Sequence, residues 1–248
     1  MRYAETGYYL EVDLSRGSVE KVRSDPKLTE MYLGGLGTNA KLIWDRVPPE
    51  VDPLSPENII IFSAGLLCGS SAPGSNRTII SSISPQTRYM AFSMMGGFWA
   101  PELKYAGYDK VIVKGRAPDL VYLWIDNDKV EIRDASHLRG KSTYDTIHAI
   151  RRELNQPHAE ALAIGLAGEN QVYFASIETE SSSASRKGLG AVMGSKNLKA
   201  VAVRGTKDLY LAKPLEFMEE CNKVMDYIQF RLSNPIEGVP AILAFIGS

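Results

Sequence analysis

Residues 188–200 read GLGAVMGSKNLKA. This stretch begins at the end of a loop of small side chains, residues 180–190, and runs into a strand that we predict over Leu198–Arg204. A backbone without bulky side chains can approach a ligand closely, and its free N–H groups can bind phosphate oxygens. The loop of residues 180–190 is therefore predicted to bind an anion, although a loop that is merely a tight turn has the same composition.

A second loop of small side chains lies earlier in the chain, over residues 64–77, and ends in Arg77. The loop of residues 180–190 likewise carries an arginine, Arg186, near its end. An arginine adds a forked, permanently charged donor for phosphate. Gly96-Gly97 precedes a predicted helix, Phe98–Ala106, and offers a third position where an anion could meet backbone N–H groups. Three separate segments thus share the chemistry of an anion site.

The remaining pattern predicts an α+β fold with many short strands and a few amphipathic helices. We predict a domain over residues 1–208, followed over 209–248 by the beginning of a helical domain. The predicted strands are Tyr8–Leu14, Ser18–Val22, Ile59–Phe62, Thr78–Ser84, Tyr89–Met94, Lys110–Lys114, Leu120–Ile125, Lys129–Arg133, Ala161–Ile164 and Val172–Ile177, and the other predicted helices are Pro26–Leu33, Leu36–Val47, Thr143–Leu154 and Pro214–Leu232. The final apolar segment, Pro240–Ser248, stops abruptly, so we expect a longer polypeptide.

Composition excludes several classes of protein. The 248 residues carry a net charge of −1, which argues against nucleic acid as a partner, and no apolar run is long enough for a membrane span. Two distant cysteines, Cys68 and Cys221, are typical of a cytoplasmic protein, and we expect both to serve packing. The histidines lack metal-ligand spacing, and Glu102 and Lys104 are expected to face solvent.

Several segments together resemble the N-terminal domain of the aldehyde:ferredoxin oxidoreductase family, the tungsten–bispyranopterin enzymes. The resemblance covers about Tyr8 to Lys207, in order and at similar spacing. It is carried by residues 188–200 and by the segments VDPLSPEN (51–58), ELKYAGYD (102–109), IRDASH (132–137) and AGEN (167–170). The stretch FSMMGGFWAP (92–101) looks most like one branch, the tungsten-containing active-site subunit of class II benzoyl-CoA reductase.

The resemblance implies a fold, a cofactor and a set of contacts. Two β-sheets would form a saddle-like base with short flanking helices, and two pterins of a tungsten cofactor would rest on it. Arg77 would lie between a pterin and an iron–sulfur cluster. Met94 and Ser183 would offer backbone carbonyls to a magnesium ion that bridges the pterin phosphates. The other expected cofactor-binding residues are Met95, Gly96, Ser182, Ser185 and Arg186.

The sequence also departs from the family pattern. Met94-Met95 replaces the Asn-Ser that is typical of aldehyde-oxidising members, and Ser182 stands where they have a phosphate-facing cation. The C-x-x-C-x-x-x-C run that binds a 4Fe-4S cluster is not in these residues, so the resemblance places the cluster in the full-length protein only, and this chain alone is expected to be inactive.

The resemblance leaves two reactions open for the intact enzyme. One is reduction of an aromatic acyl-CoA such as benzoyl-CoA, which segment 92–101 favours, and the other is ferredoxin-dependent oxidation of an aldehyde. Tungsten or molybdenum is the expected metal. Expected partners are the rest of the same polypeptide, a ferredoxin or iron–sulfur/flavin electron-transfer subunits, and a second copy in a homodimer. A non-catalytic binding module that kept the saddle is the alternative of another class.

Overall fold

The computed structural model describes residues 4–233, so the segment Pro240–Ser248 lies outside the described residues. Within that range the strands are β1 Tyr8–Asp13, β2 Ser18–Arg23, β3 Ile60–Ala64, β4 Thr78–Ile83, β5 Met90–Met95, β6 Lys110–Lys114, β7 Val121–Asp126, β8 Lys129–Asp134, β9 Glu160–Ala163, β10 Ile177–Glu178, β11 Ser183–Ala184 and β12 Leu198–Arg204. The helices are α1 Pro26–Tyr32, α2 Gly35–Arg46, α3 Trp99–Ala106, α4 Thr143–Leu154, α5 Leu166–Glu169, α6 Leu189–Ser195 and α7 Pro214–Ser233.

The strands form two six-stranded mixed sheets, which confirms the predicted α+β class. The first sheet has the order β2-β1-β6-β3-β4-β5, and the second has the order β11-β10-β9-β12-β7-β8. Each sheet contains one parallel pair, β1 with β6 and β7 with β12, and its other pairs are antiparallel. The outer strands β5 and β11 contact each other, so the two sheets approach along these edges.

The main hydrophobic core lies between the sheets, where α3 and α6 contact strands of both. Alternation along β7 shows how the layers form: Leu123 and Ile125 point into this core, whereas Tyr122 and Trp124 pack on the opposite side with α4. The outer face of the first sheet packs against α2 in a third cluster. Burial of these faces holds the short strands in one register.

The largest error in the predicted elements lies between residues 172 and 190. We expected a strand over Val172–Ile177, but only Ile177 and Glu178 are extended there. Tyr173 and Phe174 are exposed, and the Ala175 carbonyl accepts a hydrogen bond from the Gly190 N–H instead of from a strand. The expected loop of residues 180–190 also contains the short strand β11 and the first residues of α6. Contacts between residues 172–176 and α6 decide this region, and a local pattern does not encode them.

The expectation that Glu102 and Lys104 face solvent is also wrong. The Lys104 side chain is buried and donates hydrogen bonds to the Ala4 carbonyl at 2.5 Å and to Asp109 Oδ1 at 2.8 Å. Glu102 accepts hydrogen bonds from Arg204 Nη1 and from the Gly205 N–H, both at 2.8 Å. Both side chains tie α3 to its surroundings, and both cysteines are buried as expected.

Candidate cofactor-binding site

Two of the predicted site segments meet where the sheets approach each other. The chain leaves β5 at Met95, and the next residue, Gly96, donates its backbone N–H to the Ser182 Oγ at 2.9 Å. Ser182 lies in the connection from β10 to β11, 86 residues later in the chain. The structure therefore brings together segments 94–96 and 182–183, which the sequence could only propose separately.

A compact turn holds Ser182 in place. The Thr179 N–H donates to the Ser182 carbonyl at 2.9 Å, and the Ser182 N–H donates to Thr179 Oγ1 at 3.1 Å. Gly97 lies against this turn with a φ of +98°, a conformation that side chains rarely adopt. Thr179 is almost fully buried and was not among the predicted site residues. A Thr-x-x-Ser pattern in a loop is the only sequence signal that could have indicated it.

The two methionines face opposite ways because they are neighbours in a strand. Met95 is completely buried in the core between the sheets, whereas 49% of Met94 is exposed. Met95 exposes neither side-chain nor backbone atoms in this structure, so Met94 is the methionine that is open to a ligand. The Gly96 N–H is already engaged by Ser182, and within residues 4–233 no hydrogen bond uses the Gly96 carbonyl oxygen.

Two exposed arginines border this region. Thr78 pairs with Met95 in the β4–β5 ladder, so Arg77 lies at the same end of the sheet as Gly96. Arg186 follows β11 and the exposed Ser185. Neither guanidinium makes a hydrogen bond or an ion pair with any residue of the described range 4–233. Both cations, together with the exposed Ser183 hydroxyl, are thus free to bind an anionic ligand.

Side chains hold the loop over residues 64–77 by hydrogen bonds, so most of this loop is poorly suited to bind a ligand. Tyr105 donates its hydroxyl to the Gly69 carbonyl at 2.6 Å, and Asn76 Oδ1 accepts the Gly69 N–H at 3.3 Å. Burial raises the pKa of the Cys68 thiol to about 11, so this thiol stays protonated near neutral pH. Of this loop, Arg77 alone remains a credible site residue.

Metal ligands of the usual protein kind do not gather here. Among residues 4–233, no group of three or more His, Cys, Asp or Glu side chains is arranged to hold a metal ion. The same range contains no helix that is long and apolar enough to cross a membrane. The donors around Gly96 and Ser182 are cations, hydroxyls and backbone groups, and this set suits the phosphates of a cofactor that carries its own metal ligands.

Comparison with known proteins agrees with this donor set. The family model described as "Aldehyde ferredoxin oxidoreductase, N-terminal domain" matches residues 9–205. The tungsten-containing aldehyde ferredoxin oxidoreductase of Pyrococcus furiosus is 42% identical over 227 residues, which are 90% of this chain and 38% of that protein. The aliphatic sulfonate oxidoreductase, WOR-like subunit, of the same organism is 37% identical over 223 residues, or 84% of this chain and 35% of that protein.

A solved structure is more similar. In the active site complex BamBC of benzoyl coenzyme A reductase with 1,5-dienoyl-CoA, one chain is 69% identical, with a TM-score of 0.94 over 95% of this chain and 36% of that chain. This chain thus spans little more than a third of the length of the relatives that it matches. The match over residues 9–205 shows that the chain belongs to the aldehyde ferredoxin oxidoreductase family, with its N-terminal domain in that range.

Proposed function

We propose that this chain is the cofactor-cradling part of a tungsten–bispyranopterin oxidoreductase that reduces an aromatic acyl-CoA such as benzoyl-CoA. The observation that carries the substrate class is the 69% identity, over 95% of the chain, to a subunit of the benzoyl coenzyme A reductase active site complex. The joined segments 94–96 and 182–183 support the cofactor class, because they present hydroxyls and backbone atoms where the edges of the two sheets meet, and Arg77 and Arg186 border them without a partner in residues 4–233.

The residues present fit a pterin cofactor by their chemistry. Arg186, Ser183 and Ser185 would bind the phosphate end, since all three are exposed and the arginine has no partner in the described residues. Met94 and Gly96 would contact a pterin, mainly through backbone atoms, with Met95 buried behind them, and the Ser182 backbone would lie at the phosphate end. The carbonyls of Met94 and Ser183 would complete the shell of a magnesium ion, which prefers oxygen ligands. When bound, the cofactor supplies the redox chemistry, and these residues place it.

Arg77 would have a different role from the other site residues. Its guanidinium is free and lies beside the end of β5, so it could donate hydrogen bonds to a pterin and to a nearby 4Fe-4S cluster. We place the ligands of that cluster in the remainder of the full-length protein, because Cys68 and Cys221 are both buried and free. The positive charge of Arg77 would stabilise negative charge that develops as electrons pass between the pterin cofactor and the cluster.

We further propose a domain boundary near residue 208. Lys207 is still held, since its N–H donates to the Tyr105 carbonyl at 2.8 Å and its Nζ pairs with Asp128 at 2.8 Å. Strands and helices are absent from residues 205–213, and α7 follows with several exposed apolar side chains: Leu215, Met218, Met225 and Leu232. The rest of the polypeptide would cover these side chains.

A cytoplasmic location, an electron-transfer partner and a homodimer remain predictions.

The test is an anaerobic preparation of the full-length protein, analysed for tungsten and molybdenum and assayed with two substrates. We expect tungsten together with benzoyl-CoA-dependent oxidation of a reduced low-potential dye, and no dye reduction with aldehydes. Aldehyde oxidation without benzoyl-CoA turnover would favour the second candidate, which the 42% identity to an aldehyde ferredoxin oxidoreductase supports. A protein that binds neither metal would favour a non-catalytic module.

A further inference from the structure

The Gly96–Ser182 hydrogen bond joins two outer strands of different sheets. Gly96 follows β5, the last strand of the first sheet, and Ser182 precedes β11, the last strand of the second. Among the described residues, this 2.9 Å contact is the one hydrogen bond between segment 94–97 and segment 179–183. At this point the two segments, which also pack against each other, are hydrogen-bonded through a single hydroxyl.

The backbone of Ser182 is itself held by hydrogen bonds at both its N–H and its carbonyl. Its N–H donates to Thr179 Oγ1 at 3.1 Å, and its carbonyl accepts from the Thr179 N–H at 2.9 Å and from the Thr179 hydroxyl at 3.2 Å. Thr179 is 8% exposed, so these hydrogen bonds are largely protected from water. Ser182 accepts the Gly96 N–H from a fixed position, as a positioning group must.

We propose that Ser182 is a positioning residue that sets the distance between the Met94–Gly96 and Ser182–Ser183 backbone segments. This inference rests on the proposed function, in which both segments contact one cofactor. A cofactor that touches two sheet edges requires a defined spacing between them, because a small misplacement removes its simultaneous contacts. The Ser182 hydroxyl would act by holding Gly96, so the effect of this hydroxyl on the cofactor is indirect, whereas any direct contact is made by the Ser182 backbone.

The experiment compares Ser182→Ala and Thr179→Val with Ser181→Ala in the full-length protein. Ser181 is the matched control, because it is exposed, lies in the same turn and makes no hydrogen bond with residues 4–233. The readouts are hydrogen exchange of the Gly96 amide, tungsten content per chain after dilution, and the thermal unfolding midpoint. Ser182→Thr keeps the hydroxyl and tests for rescue.

We expect Gly96 exchange to rise at least tenfold in Ser182→Ala, with no change in Ser181→Ala. We expect roughly three- to tenfold weaker retention of the cofactor, the ratio that corresponds to one neutral hydrogen bond, and an unfolding midpoint lowered by at most a few degrees. Thr179→Val should behave like Ser182→Ala, and Ser182→Thr should restore both Gly96 protection and tungsten content. A merely structural role would lower the unfolding midpoint and leave retention unchanged.

Two results would overturn the proposal: a Gly96 amide that exchanges freely in the wild type, or Ser182→Ala that retains tungsten fully despite an unprotected Gly96. A protected Gly96 in a wild-type protein without tungsten would instead overturn the proposed function, and with it the role of Ser182 in cofactor retention. The exchange measurement reports on the hydrogen bond by itself, so the two failures are distinguishable.

Discussion

Two arginines without a partner in residues 4–233 border the candidate site at the scale of single residues. Most arginines elsewhere are engaged: Arg46 pairs with Glu11 at 2.6 Å, and Arg151 pairs with Glu180 at 2.6 Å. Arg77 and Arg186 have no such partner within residues 4–233, and both border the segments that meet at Gly96. A guanidinium left free beside exposed hydroxyls is suited to a ligand and contributes little to folding.

Arg77→Ala should therefore weaken cofactor binding and leave stability unchanged. Loss of a charge-assisted hydrogen bond costs about 1.5–3 kcal/mol, which corresponds to roughly ten- to hundredfold weaker binding. The thermal unfolding midpoint should stay within about 1 °C of wild type, since the side chain is exposed. Tungsten content and calorimetry of the full-length protein measure both effects, with Arg23→Ala on the distant strand β2 as control. A fully loaded, fully active Arg77→Ala protein would refute the assigned role.

Glycines of residues 188–200 allow helix α6 to pack closely against neighbouring backbone. A Cβ on Gly190 would lie 2.4 Å from the Ser176 carbonyl oxygen, and one on Gly194 would lie 1.8 Å from the Gly168 carbonyl oxygen. Neither neighbour is a flexible side chain, so the backbone itself would have to move. The glycines that suggested a ligand loop thus serve, at these two positions, close packing of a helix against other backbone.

Gly190→Ala should destabilise the protein, because its added methyl group overpacks the contact between α6 and segment 175–176. Overpacking costs about 1–3 kcal/mol, or several degrees in the unfolding midpoint of a domain of this size. Gly65→Ala is the control, since a Cβ there meets no atom within 4 Å. Thermal or urea unfolding measures the difference. Equal stability of the two variants would contradict the packing of α6.

Buried lysines tie distant parts of the whole molecule together. Lys196, between α6 and β12, donates to the carbonyls of Asn58 at 2.5 Å and Gly115 at 3.3 Å, which flank β3 and β6. Burial lowers the pKa of Lys196 to about 7. Lys199 forms a second buried link, an ion pair with Glu169 in α5. The two sheets are thus connected by polar contacts as well as by the hydrophobic core.

Stability should increase with pH above neutrality. The folded-state pKa of Lys196, about 7, lies below the ordinary value of 10.5, so the unfolded chain binds more protons between these pH values. The free energy of unfolding therefore rises with pH, with a slope of up to about 1.4 kcal/mol per pH unit from this group. Urea unfolding from pH 7 to about pH 8.5, below the range in which the raised pKa of Cys68 acts in the opposite direction, should show the rise, and Lys196→Met should reduce it. An unchanged slope in that variant would mean that the amine is not buried when folded.

The sequence by itself determined the α+β class and most of the elements, because hydrophobic periodicity and turn residues are local signals, and its motifs carried the resemblance to the family. Lys110–Lys114, Thr143–Leu154 and Leu198–Arg204 were predicted with the bounds that the structure has. Tertiary structure decided what local signals do not encode. Examples are the helix α6 in place of a loop, the burial of Lys104, and the contact of Gly96 with Ser182. Each depends on partners tens of residues away, and only packing of the two sheets brings those partners within reach.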